Sequence, residues 1–202
     1  MAVEDEPRHR LRFVNEHVRV FDVLIPPGDA SLFHTHVHDG LGVRLSDARI
    51  RDEPLDGESS EVSVTRGAVS FSHRPAPLTH RVHNIGATPF RIVFIELLPA
   101  AARADATRQT PTEGEVVVLD NERMRVTRRV LAPGQAIGMH EHALPGLAVA
   151  LSDGRIVVDV ADDEARTVKF RPGDTRWHGA GTKHAWRNAG AVAFEALEIE
   201  LK

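Results

Sequence analysis

The sequence predicts an all-β protein made of two tandem copies of one domain, and three observations carry that expectation. Sliding the 202-residue chain against itself by 106 residues aligns 15–50 with 121–156 without a gap, and 17 of the 36 pairs are identical. Unrelated sequence would give about 2. Short runs rich in Val, Ile, Leu and Phe recur, parted by turn residues every 8–12 residues or so. No segment keeps an apolar helical period through the roughly 10–12 residues a helix needs.

In the first copy the expected strands are 19–25, 32–38, 41–45, 48–51, 61–65, 80–83 and 90–97. Their breakers are Pro26-Pro27-Gly28, Asp39-Gly40, Asp56-Gly57 and Gly86. The second copy carries Pro133-Gly134, Pro145-Gly146, Asp153-Gly154 and Pro172-Gly173 at matching places. The alignment resumes at Gly67/Gly173 and, after two extra residues in the first copy, at His80/His184 and Asn84/Asn188. Between the copies, 99–115 is rich in Ala, Thr and Arg and reads as a linker. The division is therefore a polar N-terminal arm (1–12), a first domain (13–98), the linker, and a second domain (116–202). Each domain should fold as two antiparallel sheets closed into a jelly roll, which protects strand edges at this size.

Composition narrows the function. Twenty-five Lys and Arg against 29 Asp and Glu give a net charge of -4, so no nucleic-acid footprint is expected. No apolar run approaches the roughly 20 residues that cross a bilayer, and the acidic start has no secretory pattern. No membrane partner is expected, and a cytoplasmic location is. Without cysteine there is no disulfide, thiolate ligand or Cys nucleophile. Twelve histidines stand beside no tyrosine.

His34-Thr35-His36 and His140-Glu141-His142 lie in expected strands, where period-two alternation turns both imidazoles of each pair the same way. His80 and His184 sit on a later strand. Two ligands from one strand and one from its neighbour make a compact set suited to a divalent transition metal. The metal-free alternative is a set of buried or rim histidines.

Gly-x5-His-x-His from Gly28 and Gly134, with Gly173, Gly181, His184 and Asn188 in the second copy, resembles the two cupin motifs. The first copy departs from the second motif at Pro77 and in its two extra residues. The resemblance implies a bicupin: two double-stranded β-helix domains, with His34, His36, His80, His140, His142 and His184 as metal ligands. Iron is the metal most expected; Ni, Zn, Mn and Cu also suit imidazole. The glutamate of the cupin motif is absent. Leu41 and Leu147 align with its place, so each centre should hold three neutral imidazoles and no carboxylate, as in some cupin dioxygenases. In that register Leu41 and Leu147 face the cavities.

His38 continues the alternation of His34 and His36 and is a fourth ligand, a base behind the ligands, or a solvated strand end at Asp39-Gly40. His73 and His178 lie in expected loops, at the mouth or in solvent. Trp186 walls a pocket or fills the core. Glu198 and Glu200 alternate with Leu197, Ile199 and Leu201 and read as a solvated outer face. Asn84 and Asn188 read as turn residues. No further catalytic residue and no organic cofactor site is assigned. The expected function is a non-haem Fe(II) oxygenase acting on a small, anionic, chelating substrate, as monomer or homodimer. A non-catalytic small-molecule-binding bicupin and a metal-dependent lyase or isomerase are the alternatives.

Overall fold

The computed structural model describes residues 1–99, 115–161 and 163–202; the expected linker, apart from its ends, lies outside them. The chain divides into two compact units, Met1–Ala101 and Ala102–Lys202. The first contains β1 (His9–Val14), β2 (Val18–Ile25), β3 (His34–His36), β4 (Gly40–Arg44), β5 (Ala48–Pro54), β6 (Ser60–Val64), β7 (Val69–Ser72), β8 (Leu78–Asn84) and β9 (Phe90–Leu97). The second repeats them as β10 (Glu115–Asp120), β11 (Met124–Leu131), β12 (Ala136–Glu141), β13 (Gly146–Ala150), β14 (Gly154–Val160), β15 (Arg166–Phe170), β16 (Thr175–His178), β17 (Lys183–Asn188) and β18 (Phe194–Leu201). Each unit has a five-stranded sheet, β1-β2-β9-β4-β7 or β10-β11-β18-β13-β16, and a four-stranded sheet, β3-β8-β5-β6 or β12-β17-β14-β15. All pairings between these strands are antiparallel, the pattern of a jelly roll. Among the described residues no helix is long and apolar enough to cross a membrane.

The polar arm is the first correction. Residues 9–14 are a strand, paired with β2 from His9 opposite Val23, and a bulge between Leu11 and Phe13 recurs between Val117 and Leu119. The duplication therefore reaches back to His9, whose counterpart is Glu115. Exposed arginines at 10 and 12 interrupt the strand's apolar pattern, and of Leu11, Phe13 and Val14 only Phe13 is partly buried.

The second correction concerns which face is inside. On β9, Phe90 and Ile92 pack with Phe21, Val23, Ile25 and Ile50 in the barrel core. Val93, Ile95 and Leu97, on the opposite face, are just as buried. In the second unit Ala148, Ala150, Phe194 and Ala196 join the core with Phe170 and Trp186. Leu147, Val149, Leu197 and Ile199 are again buried on the other face. Where a sheet is covered on both faces, its largest apolar residues do not identify the interior. Leu41 and Leu147 thus lie on the face away from the cavities, whose walls take Gly42 and Arg44 from β4 and Ala148 from β13.

Asn84 and Asn188 are fully buried and close turns, each Nδ2 donating to two backbone carbonyls: Ile25 and Thr88, or Leu131 and Val192. They fix the end of the strand that carries the third histidine.

Candidate functional site

Pairing register assembles the histidines. His34 lies directly opposite His80 across β3 and β8, and His140 directly opposite His184 across β12 and β17. His36 and His142 project from the same faces two residues on. In the first unit, Nε2 of His34 and His36 are 3.0 Å apart, and the His80 ring lies 4.8 and 5.2 Å from theirs. In the second, Nε2 of His142 and His184 are 3.0 Å apart and the three ring centroids lie 4.7–4.9 Å from one another.

Hydrogen bonds choose the tautomers. A carbonyl or carboxylate can only accept, so the ring nitrogen facing it must carry the proton and the other holds the lone pair. His34 Nδ1 donates to the Leu32 carbonyl (2.8 Å), His80 Nδ1 to Asp52 (2.6 Å) and His140 Nδ1 to the Gly138 carbonyl (2.9 Å). Each Nε2 lone pair is thereby turned on the cluster, as metal-binding imidazoles require. Burial, aided by the neighbouring imidazoles, pushes His34 down to about 4 and His36 lower still. Burial likewise takes His142 to about 3 and His184 to about 4. These imidazoles are neutral at pH 7. Nε2 of His80 is buried with no partner. Convergent lone pairs and an orphaned buried nitrogen fit a cation, so both clusters can hold a divalent metal.

Sequence reasoning missed two neighbours in the first unit. His9, on β1, lies with its ring 4.4 Å from that of His34, and its Nδ1 donates to Glu6 (2.7 Å). Glu6 also accepts from the backbone N–H of Arg8 and Leu32. Burial alone would raise its carboxyl, but these hydrogen bonds, that from His9 foremost, hold it down at about 2. The cavity beside the cluster is about 150 Å³, close to that of a pocket that takes benzene. On its wall Arg44 donates to Ser70 Oγ (2.8 Å), while its Nε is buried with no partner. Among the described residues no carboxylate pairs with Arg44, and burial lowers its pKa. Gly42 makes the room: a Cβ there would stand 2.3 Å from Arg44 Nη1 and 2.7 Å from Ile92 Cδ1.

The second unit differs at the equivalent wall. His178, on β16 and not in a loop, stacks on His142 at 3.7 Å between ring centres. Its Nε2 donates to Glu198 Oε1 (2.5 Å), leaving Nδ1 buried and without a partner. Glu198 is 6% exposed, lines a cavity of about 310 Å³ and is no solvated outer residue. Its burial favours the neutral acid, yet the hydrogen bond and electrostatic pairing with His178 win and hold its carboxyl below the usual value. His142, His178 and Glu198 form a second group able to ligate, so this centre is not free of carboxylate. The ring of His178 occupies the space in front of Gly146, whose added Cβ would meet it at 2.9 Å. The first unit has Ser72 and Phe94 at these two positions, and no such pair.

Of the other sequence candidates, Trp186 both lines the second cavity and fills core beside Phe170 and Phe194, and its Nε1–H is buried without a partner. His38 is half-buried and is not among the residues lining the first cavity; its electrostatic partners are Glu4 and Glu96. Exposed His73 bonds to Asp39 (3.0 Å). The apolar alternation of Leu11 and Phe13 could have pointed to β1 and hence to His9. Glu198 was hidden by the inverted register, and nothing in the sequence marks Asp52.

No family model matches the chain. Over 92 residues, 46% of this chain and 96% of the other, it is 29% identical to the β-alanine degradation protein BauB of Pseudomonas aeruginosa. Among solved structures it superposes on AerE from Microcystis aeruginosa with a TM-score of 0.65 at 12% identity, covering 98% of both chains. Oxalate decarboxylase from Bacillus subtilis gives 0.65 at 15% identity, over 92% of this chain and 69% of that one. A cupin 2 conserved barrel domain protein from Leptotrichia buccalis gives 0.60 at 14% identity, over 95% and 87%. The fold is that of a bicupin. Both barrels carry a histidine triad at matching register, each in a different surround.

Proposed function

We propose that this bicupin is a metal-dependent enzyme for small, anionic, chelating organic acids, and that it works as a non-haem Fe(II) oxygenase. The observation that carries the reading is Arg44: a half-buried guanidinium on the wall of the first cavity, unopposed by any carboxylate among the described residues, beside converging imidazoles. A largely desolvated cation without a counter-ion is costly unless an anion joins it. A divalent metal held by His34, His36 and His80 would supply Lewis acidity and, as iron, one-electron chemistry with dioxygen. Arg44 would take a carboxylate through two parallel N–H donors and fix its plane. The imidazoles bring no negative charge, which leaves that part to the substrate. Apolar Val23, Ile25, Phe90 and Ile92 line the same cavity and restrict water.

The second barrel favours a redox-free reading as well. His178, oriented by Glu198, can accept a proton at Nδ1 and return it, the work of a lyase or isomerase. Oxygen uptake separates the readings. Protein loaded anaerobically with Fe(II) would be offered two- to five-carbon hydroxy and oxo acids, with oxalate and β-alanine included. The oxygenase reading expects oxygen consumed in step with one substrate, and a KM at least about tenfold higher in Arg44→Met. Turnover that proceeds equally without oxygen would leave the lyase or isomerase. Full ligand affinity in metal-free protein would leave a binding module.

A further inference from the structure

We propose that His9 is a fourth metal ligand of the first barrel, so that the amino-terminal strand completes this centre; the inference rests on the metal reading of His34, His36 and His80. His9, His34 and His36 offer ring nitrogens that all lie within 4.8 Å of one another, and all three residues are buried. With Nδ1 committed to Glu6, the His9 lone pair is at Nε2. It is the same tautomer that Leu32 imposes on His34 and Asp52 on His80.

The support behind His9 is as built as the ligand set itself. Glu6 is 2% exposed and spends its two oxygens on His9, Arg8 N–H and Leu32 N–H. The segment is then tied to the barrel beside β3: Thr35 N–H donates to the Met1 carbonyl, Arg8 Nε donates to the Ala30 carbonyl, and Val3 is buried in the core. A carboxylate fixing the far nitrogen of an imidazole, in a wall that is itself held, is the arrangement that orients metal ligands.

The duplication supplies an internal control. Strand β10 repeats β1 down to the bulge, but Glu115 stands where His9 does and pairs with Arg129, whose counterpart in β2 is Val23. The same backbone position therefore serves an ion pair in one barrel and the histidine cluster in the other. Four imidazoles would leave two positions of an octahedral ion for substrate, against three in the second barrel if its triad alone ligates.

The test uses the full chain with His140→Gln and His184→Gln, which confines metal to the first barrel. Copper(II) is the probe, read by nitrogen hyperfine structure in electron paramagnetic resonance and by competitive titration. His9→Gln should remove one imidazole nitrogen from the pattern and weaken binding at least about tenfold; Glu6→Gln should weaken it by a smaller factor with the nitrogen count kept. His80→Gln serves as the reference for losing a ligand, and metal-free melting curves confirm that each variant is folded. If His80→Gln loses a nitrogen and His9→Gln changes neither spectrum nor affinity, the three-histidine reading stands and His9 is no ligand. If the parent takes up no copper at all, the metal reading falls and this inference with it.

Discussion

Acidification from pH 7.5 to 5.0 should unfold the metal-free protein more readily because of the buried imidazoles. A histidine whose pKa is depressed by folding gives stability that is present above its unfolded value, and that is lost as pH falls toward its folded one. His34 and His184 both fall from 6.5 to about 4. At pH 5.0 the unfolded chain has bound a proton at each while the folded chain has not, which amounts to about 2 kcal/mol per residue. Two such residues lie in each unit, His34 with His36 and His142 with His184, so both units should weaken. With a urea slope of about 2 kcal/mol per molar, the one substituted in each unit accounts for about 1 M of the fall in its midpoint. The lower limit of pH 5.0 is chosen because Glu6, held at about 2 in the fold, begins to act only below its ordinary value of 4.5. Glu96 and Glu200 work in the opposite sense, since burial raises both. The readout is therefore the difference between the parent and a His34→Gln, His184→Gln double variant, followed by urea denaturation at both pH values. Identical pH dependence in the two proteins would refute the claim that these imidazoles are held neutral.

Other outcomes follow from the same geometry. Gly146→Ala puts a Cβ 2.2 Å from the Ile199 carbonyl and 2.9 Å from His178, so it should destabilise by at least about 2 kcal/mol. Gly138→Ala, with nothing within 4 Å, should be neutral or stabilising in the same denaturant assay. Leu147→Glu buries an unpaired carboxylate away from the cavity and should lose several kcal/mol of stability, with metal affinity of the folded fraction unchanged in dialysis. Glu198→Gln should lower kcat about 10²-fold with metal content retained if His178 moves a proton; metal lost on elemental analysis would make Glu198 a ligand instead.

The duplication, the all-β class and the six triad histidines were legible because each is a local pattern seen twice. What misled was the alignment of Leu41 and Leu147 with the motif's glutamate, and the reading of Glu198 as the solvated side of an apolar alternation. On β13 the large residues, Leu147 and Val149, lie on one buried face while Ala148 and Ala150 line the interior. One slipped register then misplaced Leu41, Leu147 and Glu198 together, because strands alternate with period two. His9 was missed for another reason: the gapless identity begins only at Asn15, and strand pairing can be kept while side chains diverge. The partnership of His80 with Asp52 joins positions 28 residues apart through the β5–β8 pairing, and no short motif encodes it.

The contact between Gly42 and Arg44 also makes the two positions depend on each other. A methyl at 42 would stand 2.3 Å from Arg44 Nη1, so the guanidinium would have to leave its present pose against Ser70. The second barrel holds Ala148 and Ala150 at these two positions. An arginine placed at 150 would therefore meet a methyl that Arg44 does not, and the charge of the first wall cannot be moved to the second in the same pose by one substitution.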